Sequence, residues 1–151
     1  ALASSSRGMV GGQAIDIDSI GQQLDIAQLE NMHIHKTGAL IRASVMLGAM
    51  GCPDLSSEKE KHLDHYGKCI GLAFQVHDDI LDVEGDTEEL GKPQGSDTQQ
   101  NKPTYPAILG LEQSRQRARE LIDSALASLD TFDEKADPLR SLAEYIISRK
   151  N

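Results

Sequence analysis

Three aspartates fall within five residues in the sequence FQVHDDILDVEGD. On a helix, which advances about 100° per residue, Asp78, Asp79 and Asp82 lie within an arc of roughly 100° that also contains Gln75. The apolar residues around them fall on the opposite side. Like charges at positions i and i+4 destabilise an exposed helix by about 0.2–0.5 kcal/mol, and by more where they are buried without a cation. The pattern therefore has two interpretations: a solvated acidic face, or a site for a metal cation.

The residue types around the aspartates favour the cation. Oxygen ligands with no cysteine nearby suit Mg²⁺, and also Mn²⁺, better than Zn²⁺. Mg²⁺ commonly takes one or two carboxylates and fills its other positions with water and substrate phosphate. Downstream, Lys92 and Lys102 each precede a proline, and upstream Lys36 and Thr37 stand side by side. Carboxylates and lysines together indicate a diphosphate site, whereas His77 lies on the opposite side of the helix and is interpreted as a packing residue.

Capping signals predict the helix that carries the aspartates. Ser56 or Ser57 can cap its start, glutamates follow in the first turn, and Gly85 is a natural end. We therefore predict a helix over about 57–84.

Helical spacing of apolar residues also runs from Ile20 to Gly51, where it stops before a proline. Lys36, Thr37 and Gly38 interrupt this run, so we expect either two helices or one helix kinked near Gly38. Further upstream, the glycines of GMVGG weaken a helix, but they also allow two helices to approach closely.

The rest of the chain completes an all-α bundle. Residues 86–105 are polar and without period, which is typical of a functional loop or a disordered segment. Helical patterns follow in PTYPAILGLE, EQSRQRARELIDSALASLD and PLRSLAEYIISRKN. No alternating strand pattern occurs, so the predicted class is a helical bundle.

Composition narrows the partners and the compartment. The net charge is −9 and no basic stripe is present, which argues against nucleic acid as a partner. No apolar run reaches about 18 residues, so we expect no stable membrane insertion. Two cysteines without a CxxC pattern suit a reducing compartment, and the start of the chain lacks the pattern of a signal peptide. We therefore expect a cytoplasmic protein.

Four blocks, taken in order, resemble the trans-isoprenyl diphosphate synthases, most closely the bacterial farnesyl-forming branch. They are GMVGGQAIDI, HKTGALIRAS, FQVHDDILDVEGD and LGKPQGSDTQQNKPTY, and they span about residues 8–106. Members of this family carry two aspartate-rich motifs on facing helices of an all-α fold, and Asp78, Asp79 and Asp82 match the second. The first motif is absent. The resemblance therefore implies that 1–151 is the C-terminal portion of a single polyprenyl synthase domain.

The resemblance also implies roles for individual residues. Asp78 is expected to bind Mg²⁺ directly, and Asp79 and Asp82 to do so directly or through water. The resemblance implies that Lys36 and Lys92 bind the diphosphate, and that Thr37 and Gln75 contact the reacting carbon. Gln13 and Asp16 are expected to line the cavity, and Asp97 and Lys102 to lie on the loop that closes over the leaving group. Arg149 and Lys150 resemble a basic tail that covers the site.

Simpler roles remain open for several of these residues. Lys92 and Lys102 are otherwise solvated loop lysines, Gln13 and Asp16 otherwise cap or bridge helices, and Thr37 otherwise bonds a backbone carbonyl. Arg42 is interpreted as a surface or salt-bridge residue.

The activity implied by the resemblance is Mg²⁺-dependent prenyl transfer. Isopentenyl diphosphate condenses with an allylic diphosphate, dimethylallyl or geranyl, to give farnesyl diphosphate. The resemblance also implies a homodimer, and a 151-residue chain that is inactive alone. Alternatives are a geranyl or geranylgeranyl diphosphate synthase and a non-catalytic scaffold subunit of the same fold. A terpene cyclase fits the KTG and GKPQGSD sequences poorly.

Overall fold

The computed structural model describes residues 1–84 and 102–149, and within these ranges every regular element is a helix. The predicted all-α class is therefore confirmed. The helices are α1 (Met9–Asp18), α2 (Ile26–His33), a π-helical turn (Ile34–Gly38), α3 (Ala39–Met50), α4 (Ser57–Glu84), α5 (Tyr105–Leu109), α6 (Leu111–Ala127) and α7 (Asp137–Ser148), with short 3₁₀ turns at Leu2–Ser4 and Glu134–Ala136. None of the described helices is both long enough and apolar enough to cross a membrane.

Helix α4 is the centre of the bundle, and α3, α6, α7 and the π turn all pack on it. Its 28 residues span about 42 Å at 1.5 Å per residue. Tyr66, Ala73 and Val76 are fully buried along it. Its bounds, Ser57–Glu84, confirm the predicted helix.

The interruption predicted near Gly38 is a change of helix type. Helix α2 passes into the π turn, and the π turn passes directly into α3. A π turn inserts an extra residue into a helical path, and such turns often lie at functional sites. It carries Lys36 and Thr37. The run also begins later than the apolar spacing suggested, because Gly21 has a φ of +76° and Asp25 caps α2 at Ile26.

Close approach explains two of the glycines. A Cβ added to Gly12 would lie 2.5 Å from the Cα of Lys36, and one added to Gly71 would lie 2.9 Å from the Cα of Gly38. Helices α1 and α4 therefore both meet the π turn backbone to backbone. The glycines were expected either to weaken a helix or to allow close packing, and Gly12 serves the close packing.

After α4, the described chain resumes at Lys102. Thr104 caps α5 through its side chain, and α6 follows at once because Gly110 turns the chain with a φ of +82°. Helix α7 is tied to the end of α6 by Arg140, which donates to the carbonyl oxygens of Leu129 and Phe132 at 2.7 and 2.9 Å. The predicted loop lies outside the described residues, except for its last four positions.

Substituting Gly12 should test the contact between α1 and the π turn. We expect Gly12→Ala to lower the free energy of unfolding by about 1–3 kcal/mol, because the new methyl group overlaps the backbone of Lys36. Urea midpoints of purified protein measure the change.

The matched control is Gly48→Ala on α3. Among the described residues outside its own helix, no atom lies within 4 Å of a Cβ built there, so removing backbone freedom should stabilise the helix by about 0.5–1 kcal/mol. Equal midpoints for the two variants would contradict the close approach.

Candidate active site

A cavity of about 270 Å³ gathers seven of the predicted site residues. We call it the site cavity; α1, the end of α2, the π turn, α4 and the residues before α5 form its walls. The predicted residues on its wall are Asp16, Lys36, Thr37, Gln75, Asp78, Asp79 and Lys102, and the remaining wall residues are Met32, His33, Pro103 and Thr104. Residues far apart in sequence thus meet around one space, as the diphosphate interpretation required.

Lys36 is held by an ion pair before any ligand binds. Its Nζ lies 2.7 Å from Oδ2 of Asp16, and the two side chains are 27% and 9% exposed. Asp16 reaches Lys36 because α1 lies against the π turn. It therefore bridges two elements, and it also lines the site cavity.

Asp78 is engaged on both carboxylate oxygens. Gln75 donates its amide to Oδ2 at 3.0 Å, and the guanidinium of Arg149 is paired with Oδ1. The same guanidinium lies over the ring of Phe74, 4.3 Å from its centroid. The C-terminal arginine thus lies on a predicted metal ligand.

His77 has the packing role expected of it. It is buried, does not line the site cavity, and its Nε2 lies 3.0 Å from the backbone oxygen of Arg149. This contact helps to hold the end of the chain beside α4.

Asp79 is bound to the backbone of the next segment. Its Oδ2 accepts the N–H of Tyr105 at 2.9 Å, and the residue is 6% exposed. This bond fixes the start of α5, and with it Lys102 and Thr104, at the edge of the site cavity. The Asp79 carboxylate is therefore part of the cavity wall, and it also fixes the segment that contributes Lys102 and Thr104 to that wall.

The acidic face is not a solvated one. Asp79 and Asp82 are 6% and 1% exposed, so the interpretation of these two residues as part of a solvated acidic face is wrong. Asp82 is not on the wall of the site cavity, and its predicted role at a metal remains a prediction. Asp79 is buried where the start of α5 packs on α4.

Several predicted residues lie elsewhere. Gln13 is exposed and not on the wall of the site cavity. Lys92, Asp97 and Lys150 lie outside the described residues. Arg42 pairs with Asp64, as its salt-bridge interpretation required.

Of the four wall residues that the sequence analysis did not predict, two have side chains that can hydrogen-bond, His33 and Thr104. His33 lies one helical turn before Lys36, a spacing that places both on one side of a helix. Thr104 follows Lys102 by two residues and precedes a proline-containing helix start, which is a capping signal. Burial of the neighbouring Tyr105 raises the pKa of its phenol far above the usual range, and the nearby Glu30 adds to this.

The donor set fits Mg²⁺ in its usual protein mode. In the part of the chain that the structure describes, no group of three or more His, Cys, Asp or Glu side chains converges on one point. Two carboxylates, Asp78 and Asp79, do line one cavity with the hydroxyl of Thr37 and the amide of Gln75. Mg²⁺ needs only one or two carboxylates when water and phosphate supply its other ligands. Binding at Asp78 has to compete with Arg149.

The chain matches the polyprenyl synthetase family over residues 1–145. It therefore belongs to the polyprenyl synthetase family.

Individual relatives agree with this membership. The chain is 54% identical to the farnesyl diphosphate synthase of Escherichia coli over 152 residues, which cover 99% of this chain and 51% of that protein. It is 46% identical to geranylgeranyl pyrophosphate synthase 11, chloroplastic, of Arabidopsis thaliana, covering 100% of this chain and 43% of the relative.

A solved structure adds the fold. The crystal structure of a Helicobacter pylori geranyltransferase complexed with magnesium and isoprenyl diphosphate superposes with a TM-score of 0.81 at 33% identity. The match covers 98% of this chain and 48% of that one. The chain thus spans about half the length of the relatives it matches.

The ion pair in the site cavity should be measurable by a double-mutant cycle on Asp16→Asn and Lys36→Gln. We expect a coupling free energy of about 1–2 kcal/mol, because both side chains are largely shielded from water. Unfolding midpoints of the two single variants and the double variant provide the measurement.

The exposed pair of Arg115 and Glu112 serves as the reference cycle. Its coupling should stay below about 0.5 kcal/mol, as for other surface pairs one helical turn apart. A site-cavity coupling no larger than this surface value would show that Asp16 does not hold Lys36.

Proposed function

We propose that the whole protein containing this chain is a Mg²⁺-dependent prenyltransferase that condenses isopentenyl diphosphate with dimethylallyl or geranyl diphosphate to give farnesyl diphosphate. The observation that carries the proposal is the meeting of Lys36, Lys102, Asp78 and Asp79 on one cavity. A diphosphate that binds together with a metal ion needs cationic side chains for its own negative charge and carboxylates for the metal. The 54% identity to the E. coli farnesyl diphosphate synthase supports the same activity.

Lys36 and Lys102 bind the diphosphate of the allylic substrate. As the allylic C–O bond breaks, negative charge moves onto the departing pyrophosphate, and fixed positive charges stabilise it. Asp78 and Asp79 would hold Mg²⁺, which would supply further positive charge beside that leaving group. Asp16 keeps Lys36 in place, so little reorganisation is needed when the charge develops.

Thr37 and Gln75 face the carbon that becomes positive. Gln75 donates its amide N–H to Asp78, so its carbonyl oxygen is the end suited to a cation. The alkene of isopentenyl diphosphate attacks the allylic cation and forms the new C–C bond. Loss of one proton then restores a double bond, and pyrophosphate leaves.

The length of the product is the finer part of the proposal. The identity to an Arabidopsis geranylgeranyl pyrophosphate synthase favours a longer product as the second candidate, and a geranyl synthase and a scaffold subunit are further alternatives. Chromatography of the products distinguishes the chain lengths, and a folded protein without turnover indicates the scaffold.

We also propose a cytoplasmic homodimer for the whole protein. Large apolar side chains are exposed on α1 and α3, among them Ile17, Leu47 and Met50 at 58%, 69% and 73%. Such a surface is suited to contact with a second subunit or with the remaining half of the same protein.

A chimera tests the activity directly. The 152 aligned residues of the E. coli farnesyl diphosphate synthase are replaced by this chain, and the purified chimera is assayed with geranyl and isopentenyl diphosphates and Mg²⁺. We expect farnesyl diphosphate, and a loss in kcat of about 10²–10³ for Asp78→Ala, the scale of removing one preorganised charge contact. The 151-residue chain alone should give no turnover.

Asp64→Ala is the matched control in the chimera. Asp64 lies on the same helix, but it pairs with Arg42 and Lys68 far from the site cavity. Its kcat should stay within about twofold of the unsubstituted chimera, since exposed ion pairs contribute little. Equal, small losses for both aspartates would remove the metal role of Asp78, and robust turnover by the chain alone would refute its expected inactivity.

Arg149 should compete with the cation for Asp78. We expect Arg149→Ala to raise the affinity of the 151-residue chain for Mg²⁺ roughly fivefold, because the guanidinium that pairs with Asp78 is removed. Isothermal titration measures the affinity, with Arg115→Ala as the reference for losing a surface arginine. Unchanged affinity would mean that the pair does not limit metal binding.

A further inference from the structure

His33 is a buried titratable side chain that the proposed reaction does not use. It is the last residue of α2, is 4% exposed, and lines the site cavity. Neither ring nitrogen has a hydrogen-bond partner among the described residues. Buried polar atoms without partners destabilise a fold, so one that faces a binding cavity calls for an explanation.

The ring of His33 is held in one plane by its neighbours. It stacks on Tyr105 with centroids 5.8 Å apart and 10° between the planes. Tyr105 is fully buried and donates its hydroxyl to Oε1 of Glu30 at 3.2 Å, and Arg117 donates to the same oxygen at 2.8 Å. Residues of α2, α5 and α6 therefore fix the ring beside the site cavity.

A carboxylate oxygen of the candidate site lies close to the ring. Nε2 of His33 lies 3.6 Å from Oδ2 of Asp79, and this oxygen already accepts the N–H of Tyr105 at 2.9 Å. A closure of about 0.6 Å brings the pair to ordinary hydrogen-bond distance. With its proton on Nε2, the imidazole then becomes the second donor to Asp79.

We propose that His33 is a positioning residue for Asp79. Its Nε2–H joins the Tyr105 N–H in holding the carboxylate in one orientation when a divalent cation enters the site cavity. Groups that hydrogen-bond to metal-binding side chains typically change metal affinity by about 10–100-fold when they are removed. The inference rests on the proposed function, because it requires a cation at Asp78 and Asp79.

Two substitutions separate positioning from packing. His33→Phe keeps a flat ring to stack on Tyr105 but removes both nitrogens. His33→Gln gives up the ring and places an amide nitrogen near the position of Nε2. His62→Phe is the control, because His62 contacts Thr131 away from the site cavity.

The probe is Mn²⁺ alone, bound by the 151-residue chain and followed by water-proton relaxation, with Tm recorded for each variant. We expect His33→Phe to weaken Mn²⁺ binding about 10–100-fold with Tm unchanged. His33→Gln should recover binding to within about threefold of the unsubstituted chain, and His62→Phe should bind as that chain does, since neither loses a donor to Asp79.

The other outcomes overturn the inference. Mn²⁺ affinity that falls with Asp78→Ala but not with His33→Phe would leave the proposed function standing and remove His33 from the site. Equal losses of Mn²⁺ affinity for His33→Phe and His33→Gln, with a lower Tm for both variants, would make His33 a packing residue only. No Mn²⁺ binding by the unsubstituted chain would overturn this inference, whereas the proposed function is tested separately by the turnover of the chimera.

Discussion

The contact of α1 with the π turn, sealed by the ion pair of Asp16 and Lys36, is the interaction on which the site cavity depends. Gly12 lets the two backbones meet, and this brings the acid on α1 within 2.7 Å of the lysine. Lys36 is then oriented by a partner from another helix, and this ion pair restricts the conformations of its flexible side chain. Thr37 follows on the same turn. One wall of the cavity is therefore set before any ligand arrives.

The opposite wall carries two carboxylates that need partners in the ligand-free protein. Asp78 is paired with Arg149 and accepts from Gln75, while Asp79 accepts a backbone N–H. Lys36 is likewise paired with Asp16, so Asp16 and Asp78 each have a cationic partner within the protein. Under the proposed function, a divalent cation that arrives with the diphosphate takes the place of Arg149 at Asp78, and its positive charge offsets the net charge of −9.

Local signals made part of this architecture predictable. The serines and the glutamates that follow them predicted the start of α4, where Ser56 accepts the N–H of Lys59, and residue types singled out Asp78 and Lys36. The π turn has no such signature, because a single i+5 turn barely changes the apolar spacing. The pairing of Arg149 with Asp78 joins residues 71 positions apart and depends on how α7 packs. His33 was missed because a histidine at helical spacing looks like any other core residue.

The two adjacent aspartates differ in what holds them, and this difference decides what each can do. The Asp78 side chain is 39% exposed, and its cationic partner, Arg149, reaches it through a side chain and not through the backbone. The Asp79 side chain is 9% exposed, and its partner is the first backbone N–H of α5, which can leave only if that helix shifts. Asp78 is therefore suited to exchange one cation for another. Asp79 is suited to keep the wall fixed while that exchange takes place, because its hydrogen bond is part of the fold.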